Sequence, residues 1–223
     1  MLRRVLLLSV LGLGVAGLPF TQASAATEGT DYVTLEKALP NKAGTLVKVW
    51  SYACPFCYKF DVGVDPKVLP RIEKETGLKF IPMHLETKGD YGRLASTVLA
   101  GLELKDEAEG RSIEDENSLY KKAKDAWYFA YHKQAERWTS GEDAFLKTAA
   151  DATGLSVDDL RKLSQEEAAI KLADEWKPVY DVAKIQGVPA YVVNGKYVVM
   201  TRAIRNYDTF VNIVSDLSKL PKE

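Results

Sequence analysis

The chain has 223 residues, of which 46% are hydrophobic and 27% are charged. This composition is typical of a globular protein and excludes a collagen, a coiled coil and a disordered tail. The formal net charge of −1 gives no electrostatic reason to expect nucleic-acid binding. Two cysteines and two histidines are so few that a multi-ligand metal cluster is hard to assemble.

Residues 1–25 have the pattern of an export leader. Two arginines precede an apolar run over residues 5–18, and the small residues Ala23-Ser24-Ala25 supply a cleavage site. The run is shorter than the roughly 20 residues that usually span a membrane, which favours cleavage before Ala26 over an uncleaved anchor. Export predicts an oxidising compartment, where cysteines form disulfides.

The first half of the mature chain predicts a β-α-β unit. Residues 45–51 are mostly apolar or β-branched and predict a largely buried central strand. A helix is predicted to begin at Pro55, whose fixed φ suits a first helical turn. A second helix follows Pro66, and residues 78–85 predict another strand, in which Pro82 favours a bulge or a sheet edge.

The middle of the chain, residues 90–177, predicts only helices, because its apolar residues recur at helical spacing. Two serine and acid pairs are candidate capping boxes that start helices, with solvated surface as the alternative. They are Ser156 with Asp159 and Ser164 with Glu167. Pro178 is predicted to break or kink the last long helix of this region.

The end of the chain returns to strands. Residues 190–200 predict two short strands joined by Asn194-Gly195, a strong hairpin signal, and residues 206–220 predict a final amphipathic helix. The layout predicts an α/β sheet interrupted by an all-helical subdomain. Its parts are residues 26–89 and 178–223 for the sheet domain and residues 90–177 for the insertion.

Cys54 and Cys57 form a Cys-x-x-Cys pair, for which three interpretations exist: a redox disulfide, a structural disulfide or part of a metal site. A structural disulfide between residues so close closes a very short loop and adds little stability. A zinc site would have to recruit both His84 and His132, or carboxylates. Packing or surface roles are the simpler interpretation of the two histidines.

The placement of the pair favours redox chemistry. A cysteine at a helix start faces unpaired backbone N–H groups and the positive end of the helix dipole, which stabilise its thiolate. We therefore predict that Cys54 is the exposed thiolate and that Cys57, one turn inward, is more buried and closes the ring. A stabilised thiolate is a good leaving group and makes the disulfide oxidising.

Two neighbours of the cysteines are candidate site residues. Lys48 lies six residues before Cys54, an even offset that aims both side chains to the same side of a regular strand. A cation there favours the thiolate, and the alternative is an ammonium that reaches solvent at the sheet edge. Phe56, between the cysteines, is a candidate apolar contact for a substrate chain, with local packing as the alternative.

Two segments carry a resemblance to a known family. They are Trp50-Ser51-Tyr52-Ala53-Cys54-Pro55-Phe56-Cys57-Tyr58 and Gly187-Val188-Pro189-Ala190-Tyr191-Val192-Val193-Asn194-Gly195-Lys196-Tyr197. Together they resemble the DsbA family of periplasmic thiol-disulfide oxidoreductases. The resemblance spans essentially the whole mature chain and implies a thioredoxin fold with an inserted all-helical subdomain. The Cys-Pro-Phe-Cys variant, with residues 181–189, is similar to the DsbL branch of the family.

The resemblance also implies roles for single residues. Pro189 is then the family's cis-proline beside the disulfide, and Val188 offers backbone hydrogen bonds to a substrate strand. Two residues depart from the family pattern. The usual dipeptide is Pro-His, so Phe56 lacks a cationic ring, and thioredoxin-like proteins often have an acid where Lys48 stands. We hypothesise that Lys48 compensates, so that Lys48→Met would raise the pKa of Cys54.

We expect a monomeric periplasmic dithiol oxidase that needs no metal or organic cofactor. Its expected partners are thiol-containing exported proteins and, for reoxidation, a DsbB-like membrane oxidase. Resemblance to the DsbL branch implies an arylsulfate sulfotransferase as substrate and DsbI as that oxidase. The alternatives are a disulfide reductase or isomerase, a zinc-binding module and a non-catalytic domain. An isomerase often carries a dimerisation domain, for which the segment before the first predicted strand is too short.

Substrate range depends on the surface near the cysteines. Six basic residues are candidates for a basic patch there, although scattered solvated side chains are the commoner arrangement. They are Lys121, Lys122, Lys124, Lys196, Arg202 and Arg205.

Overall fold

The computed structural model describes residues 25–222, so the predicted leader, apart from Ala25, lies outside the described residues. The strands are β1 (Tyr32–Thr34), β2 (Thr45–Trp50), β3 (Lys79–His84), β4 (Ala190–Val193) and β5 (Tyr197–Val199). The helices are α1 (Pro55–Gly63), α2 (Asp65–Thr76), α3 (Gly92–Ala108), α4 (Leu119–Lys133), α5 (Glu142–Thr153), α6 (Val157–Gln165), α7 (Glu167–Glu175), α8 (Val179–Gln186) and α9 (Tyr207–Ser218).

The five strands form one mixed sheet in the order β1-β5-β4-β2-β3. Strand β2 pairs in parallel with β3 and antiparallel with β4, so it lies inside the sheet, and all its residues are buried. The prediction of a buried central strand is confirmed. Strand β3 is an edge strand, which is where Pro82 was expected, because proline cannot donate a ladder hydrogen bond.

The side chains of β2 contribute to two hydrophobic clusters. Val47 and Val49 pack in a cluster with buried residues of α3, α4 and α5, whereas Leu46 packs in a second cluster with residues of α2 and α9. Lys48 shares the parity of Leu46 and is directed toward α2. Trp50, at the end of the strand, has the same parity but packs in the first cluster.

The helices α3 to α7 follow one another between β3 and β4, as expected for residues 90–177. The capping box of Ser156 and Asp159 is confirmed at the start of α6. The capping box expected at Ser164 is wrong. Its hydroxyl lies inside α6 and donates to the carbonyl oxygen of Arg161, and α7 begins after Glu166 without a side-chain cap.

The remaining predicted elements are present, and one short strand had not been predicted. Pro178 separates α7 from α8, and Asn194 and Gly195 both take positive φ in the turn between β4 and β5. Strand β1 lies before the first strand that we expected. Its three residues pair with β5 at the other edge of the sheet, and so short a segment has no detectable alternation.

Candidate functional site

The Cys-x-x-Cys pair lies at the junction of β2 and α1. Cys54 is the N-cap of α1 in an extended backbone conformation, and Pro55 occupies the first turn of the helix. The Sγ atom of Cys54 accepts a hydrogen bond from the backbone N–H of Cys57, 3.1 Å away. The sulfur thus takes the place of the side-chain oxygen that usually caps a helix, which favours its anionic form.

The pKa values of the two cysteines are shifted in opposite directions. The hydrogen bond from the Cys57 side chain, followed by backbone N–H bonds from Cys57 and Phe56, lowers the pKa of Cys54 to about 7 although burial opposes this shift. Burial, and then the hydrogen bond to Cys54 and its negative charge, raises the pKa of Cys57 well above its ordinary value. In the reduced protein the shared proton therefore resides on Cys57 and the negative charge on Cys54.

One expectation about Cys54 is wrong. Only 2% of its surface is exposed, against 0% for Cys57, so the residue predicted to be exposed is nearly covered. Its Sγ lies 3.2 Å from the carbonyl oxygen of Val188, in the segment before β4. This cover comes from a segment more than a hundred residues further along the chain, and no local sequence pattern reports it.

Val188 lies against the site, and Pro189 is the residue that follows it. The peptide bond between them is cis. Phe56 exposes 61% of its surface, and the Nζ of Lys59 lies 5.4 Å from the centre of its ring. Phe56 is therefore an open apolar contact surface beside Cys54 and is not packed into the protein.

Lys48 is buried, and the alternative of an ammonium that reaches solvent is wrong. Its Nζ donates to Asp65 Oδ2 at 2.5 Å and to Asp61 Oδ1 at 3.1 Å. Burial opposes the charge, yet Asp65 and Asp61 hold the pKa of Lys48 above its ordinary value. The charge of Lys48 lowers the pKa of Cys57 and is not among the main influences on Cys54.

Sequence reasoning did not find the buried ionic cluster around Lys48. Asp61 also bonds to Lys124 at 2.5 Å, and Asp65 accepts a hydrogen bond from the hydroxyl of Tyr191 at 2.5 Å. Despite its burial, Asp61 has a pKa below its ordinary value because Lys48 and Lys124 flank it. The two aspartates lie four residues apart in the sequence, near the end of α1 and at the start of α2, and in the sequence this spacing is the pattern of a solvated helix face.

The histidines have partners away from the cysteine sulfurs. The Nδ1 of His84 lies 2.8 Å from Ser96 Oγ, and burial lowers the pKa of His84 to about 3. The Nε2 of His132 lies 2.8 Å from the carbonyl oxygen of Tyr52. Within residues 25–222, no group of three or more His, Cys, Asp or Glu side chains is placed to hold a metal ion.

Some of the basic residues proposed for a patch are engaged elsewhere. Lys124 is largely buried between Asp61 and Asp125. The Nζ of Lys121 donates to the carbonyl oxygen of Glu114, and Arg202 donates to that of Gly29. The burial and the ion pairs of Lys124 exclude it from an exposed patch.

The opposed titration of the cysteines predicts how pH affects stability. The lowered pKa of Cys54 stabilises the reduced fold above the pKa of an unfolded thiol, and this stability is lost as pH falls through about 7. The raised pKa of Cys57 acts in the opposite sense at more alkaline pH, because folding disfavours its thiolate.

In the disulfide form neither cysteine has a titratable thiol, so this form serves as the control. The free energy of unfolding of the reduced form, relative to the disulfide form, is expected to rise between about pH 7 and pH 9. Denaturant titrations of both forms across this range measure it. A flat difference would contradict the lowered pKa.

Comparisons with known proteins agree with this geometry. The thiol:disulfide interchange protein DsbL of Lelliottia amnigena is 50% identical over 212 residues, which cover 94% of both chains. DsbL of Escherichia coli O6:H1 is 52% identical over 198 residues, which cover 88% of both chains. A search of protein-family models found no match.

Solved structures give the same result. The crystal structure of DsbL from Salmonella enterica serovar Typhimurium aligns with a TM-score of 0.81 and 49% identity over 89% of this chain and all of that one. DsbA from Proteus mirabilis aligns with a TM-score of 0.64 and 22% identity over 86% of this chain and 95% of that one, and it shares the fold.

No helix within residues 25–222 has the length and apolarity of a membrane span. The chain has a thioredoxin-like fold and belongs to the DsbA family of thiol:disulfide interchange proteins, which are oxidoreductases.

Proposed function

We propose that this chain is a periplasmic dithiol oxidase that introduces disulfides into exported proteins. The observation that carries the proposal is the capped thiolate of Cys54, whose pKa lies near 7. A thiolate that is stable at neutral pH is a good leaving group, so the disulfide that contains it is readily reduced by a substrate. Such a disulfide oxidises other thiols.

The reaction takes two exchanges. A substrate thiolate attacks Cys54 Sγ, a substrate–Cys54 bond forms, the Cys54–Cys57 bond breaks, and Cys57 leaves with the electron pair and takes up a proton. A second substrate thiolate then attacks the substrate sulfur in this mixed disulfide, and Cys54 leaves as its stabilised thiolate. The substrate loses two electrons, which the reduced cysteine pair now carries.

The surface around Cys54 supplies the contacts that this reaction needs. Phe56 presents an exposed ring to an apolar part of the substrate, and the backbone of Val188, beside Pro189, offers hydrogen bonds to an extended substrate strand. Because Cys54 is nearly covered, the substrate chain must dock beside Val188 before its sulfur reaches the disulfide.

Resemblance to the DsbL branch supports a specialised role for this monomer in the periplasm. Residues 1–25 are then a cleaved leader, residues 90–177 are an insertion in the thioredoxin fold, and an arylsulfate sulfotransferase is the candidate substrate. A quinone-linked membrane oxidase of the DsbB kind, DsbI in that branch, would accept the two electrons and restore the disulfide.

The redox equilibrium of the purified mature protein against glutathione tests the proposal. We expect the Cys54–Cys57 disulfide to be reduced at glutathione ratios that leave ordinary structural disulfides intact, because its reduced form is stabilised by the thiolate. Mass spectrometry after acid quenching and thiol alkylation counts the free thiols. A pair that stays oxidised under strongly reducing glutathione would overturn the oxidase proposal and favour a reductase or a structural disulfide.

A further inference from the structure

The segment after β3 is joined to the turn that precedes Cys54. The hydroxyl of Ser51 donates a hydrogen bond to the backbone carbonyl oxygen of Lys88, 3.0 Å away, and accepts one from the backbone N–H of Ala53 at 3.2 Å. The backbone N–H of Cys54 donates to the carbonyl oxygen of Ser51 at 3.1 Å. Ser51 therefore fixes the backbone of Lys88 beside the turn that carries the reactive sulfur.

The residues that follow Lys88 hold the segment close to the same turn. Gly89 has a φ of +93°, and a Cβ atom there would lie 2.5 Å from Tyr52 Oη and 3.1 Å from Ala53 Cβ. Tyr52 Oη also accepts a hydrogen bond from the backbone N–H of Tyr91 at 2.9 Å. A residue with a side chain would force the segment away, so glycine permits the close approach.

The side chain of Lys88 is exposed, and it has no carboxylate within ion-pair distance among residues 25–222. Lys48, by contrast, has its charge matched by Asp61 and Asp65 on the α2 side of the sheet. The hydrogen bond from Cys57 is the largest cause of the low pKa of Cys54, and the positive charge of Lys88 acts in the same direction. An unmatched cation beside the turn is free to stabilise an anion there.

We propose that Lys88 is the cation that stabilises the Cys54 thiolate, acting from the segment after β3 in place of a charged residue between the cysteines. The dipeptide Pro55-Phe56 supplies no charge of its own. Lys88 is a positioning residue because it acts through Cys54. The proposal deepens the proposed oxidase function, yet it concerns the reduced protein without substrate and is measured there.

The test is a titration of the Cys54 thiolate by its ultraviolet absorbance in the reduced full-length mature protein. Lys88→Met is expected to lower the ratio of thiolate to thiol near pH 7 by about two- to fourfold, because the attraction between an exposed ammonium and the thiolate is weakened by the surrounding water. Lys88→Glu is expected to lower the ratio further, and Lys88→Arg to restore it.

Two controls separate charge from structure. Lys59→Met removes an exposed cation of α1 whose Nζ lies over the ring of Phe56, and we expect it to change the ratio less than Lys88→Met does. Raising the ionic strength is expected to bring the wild-type ratio toward that of Lys88→Met, because salt screens exposed charges. In Lys88→Met, salt is expected to change the ratio of thiolate to thiol less, because this variant lacks the charge that salt screens.

Two results would overturn the proposal. One is equal ratios in the wild type, Lys88→Met and Lys88→Glu. The other is equal losses in Lys88→Met and Lys88→Arg, which would show that packing and not charge is responsible. A Cys54–Cys57 pair that stays oxidised under strongly reducing glutathione would, by contrast, overturn the oxidase function and leave this titration valid.

Discussion

Cys57→Ala is expected to turn the enzyme into a trap for its substrates. With a peptide that has one cysteine, wild-type Cys57 attacks Cys54 in the mixed disulfide, releases the peptide and restores the disulfide. In the variant this escape is absent, and we expect the complex to persist at least about a hundredfold longer, because a neighbouring thiol acts at a very high effective concentration. Mass spectrometry of acid-quenched samples measures the lifetime.

The matched control is Cys54→Ala. Cys57 has 0% of its surface exposed and a pKa raised by burial, so this variant is expected to form no complex with the peptide. The complex with Cys57→Ala is best prepared from protein whose Cys54 has first been activated as a mixed disulfide with a small aromatic thiol. Trapping of equal yield by Cys54→Ala would reverse the assigned roles of the two cysteines.

Lys48→Met is expected to lower the free energy of unfolding by about 3 to 5 kcal/mol, because it leaves buried carboxylates without their cation. Asp65 is 4% exposed, and both it and Asp61 bond to the Nζ of Lys48. The same change is expected to raise the pKa of Cys57 further and to leave that of Cys54 nearly constant. Denaturant unfolding and thiolate titration measure the two effects.

Lys124→Met is the matched control for Lys48→Met. Lys124 also bonds to Asp61, but its side chain is 12% exposed and Asp61 keeps Lys48 when Lys124 is removed. We expect a smaller loss of stability. A loss below about 1 kcal/mol for Lys48→Met would mean that the aspartates are neutralised without it. A rise in the pKa of Cys54 would instead restore the hypothesis that Lys48 compensates for the missing histidine.

The elements predicted correctly are those whose signals are local. Residues of β2 are mostly apolar or β-branched, Pro55 marks a helix start, and Asn194-Gly195 marks a tight turn. In each case the physical cause is a residue's own backbone preference or its immediate periodicity. The location of the cysteines at a helix N-terminus follows from such signals alone, and so does their unequal chemistry.

The parts of the site that were not predicted depend on contacts between distant segments. The partners of Lys48 lie on α1 and α2, the cover over Cys54 comes from Val188, and Lys88 approaches from the segment after β3. Each of these residues, taken in its own stretch of sequence, is consistent with an exposed position. Only the tertiary fold turns a surface lysine into a buried one or places a carbonyl beside a sulfur.

The two edges of the sheet affect where an extended substrate chain could bind. An exposed strand edge is a template for pairing with any extended chain and a source of aggregation. At one edge Pro82 interrupts the donors of β3, and at the other β1 offers only three residues. Both edges are poor sites for β-augmentation, so in the proposed reaction an extended substrate chain would pair with the backbone beside Cys54 and not with an edge of the sheet.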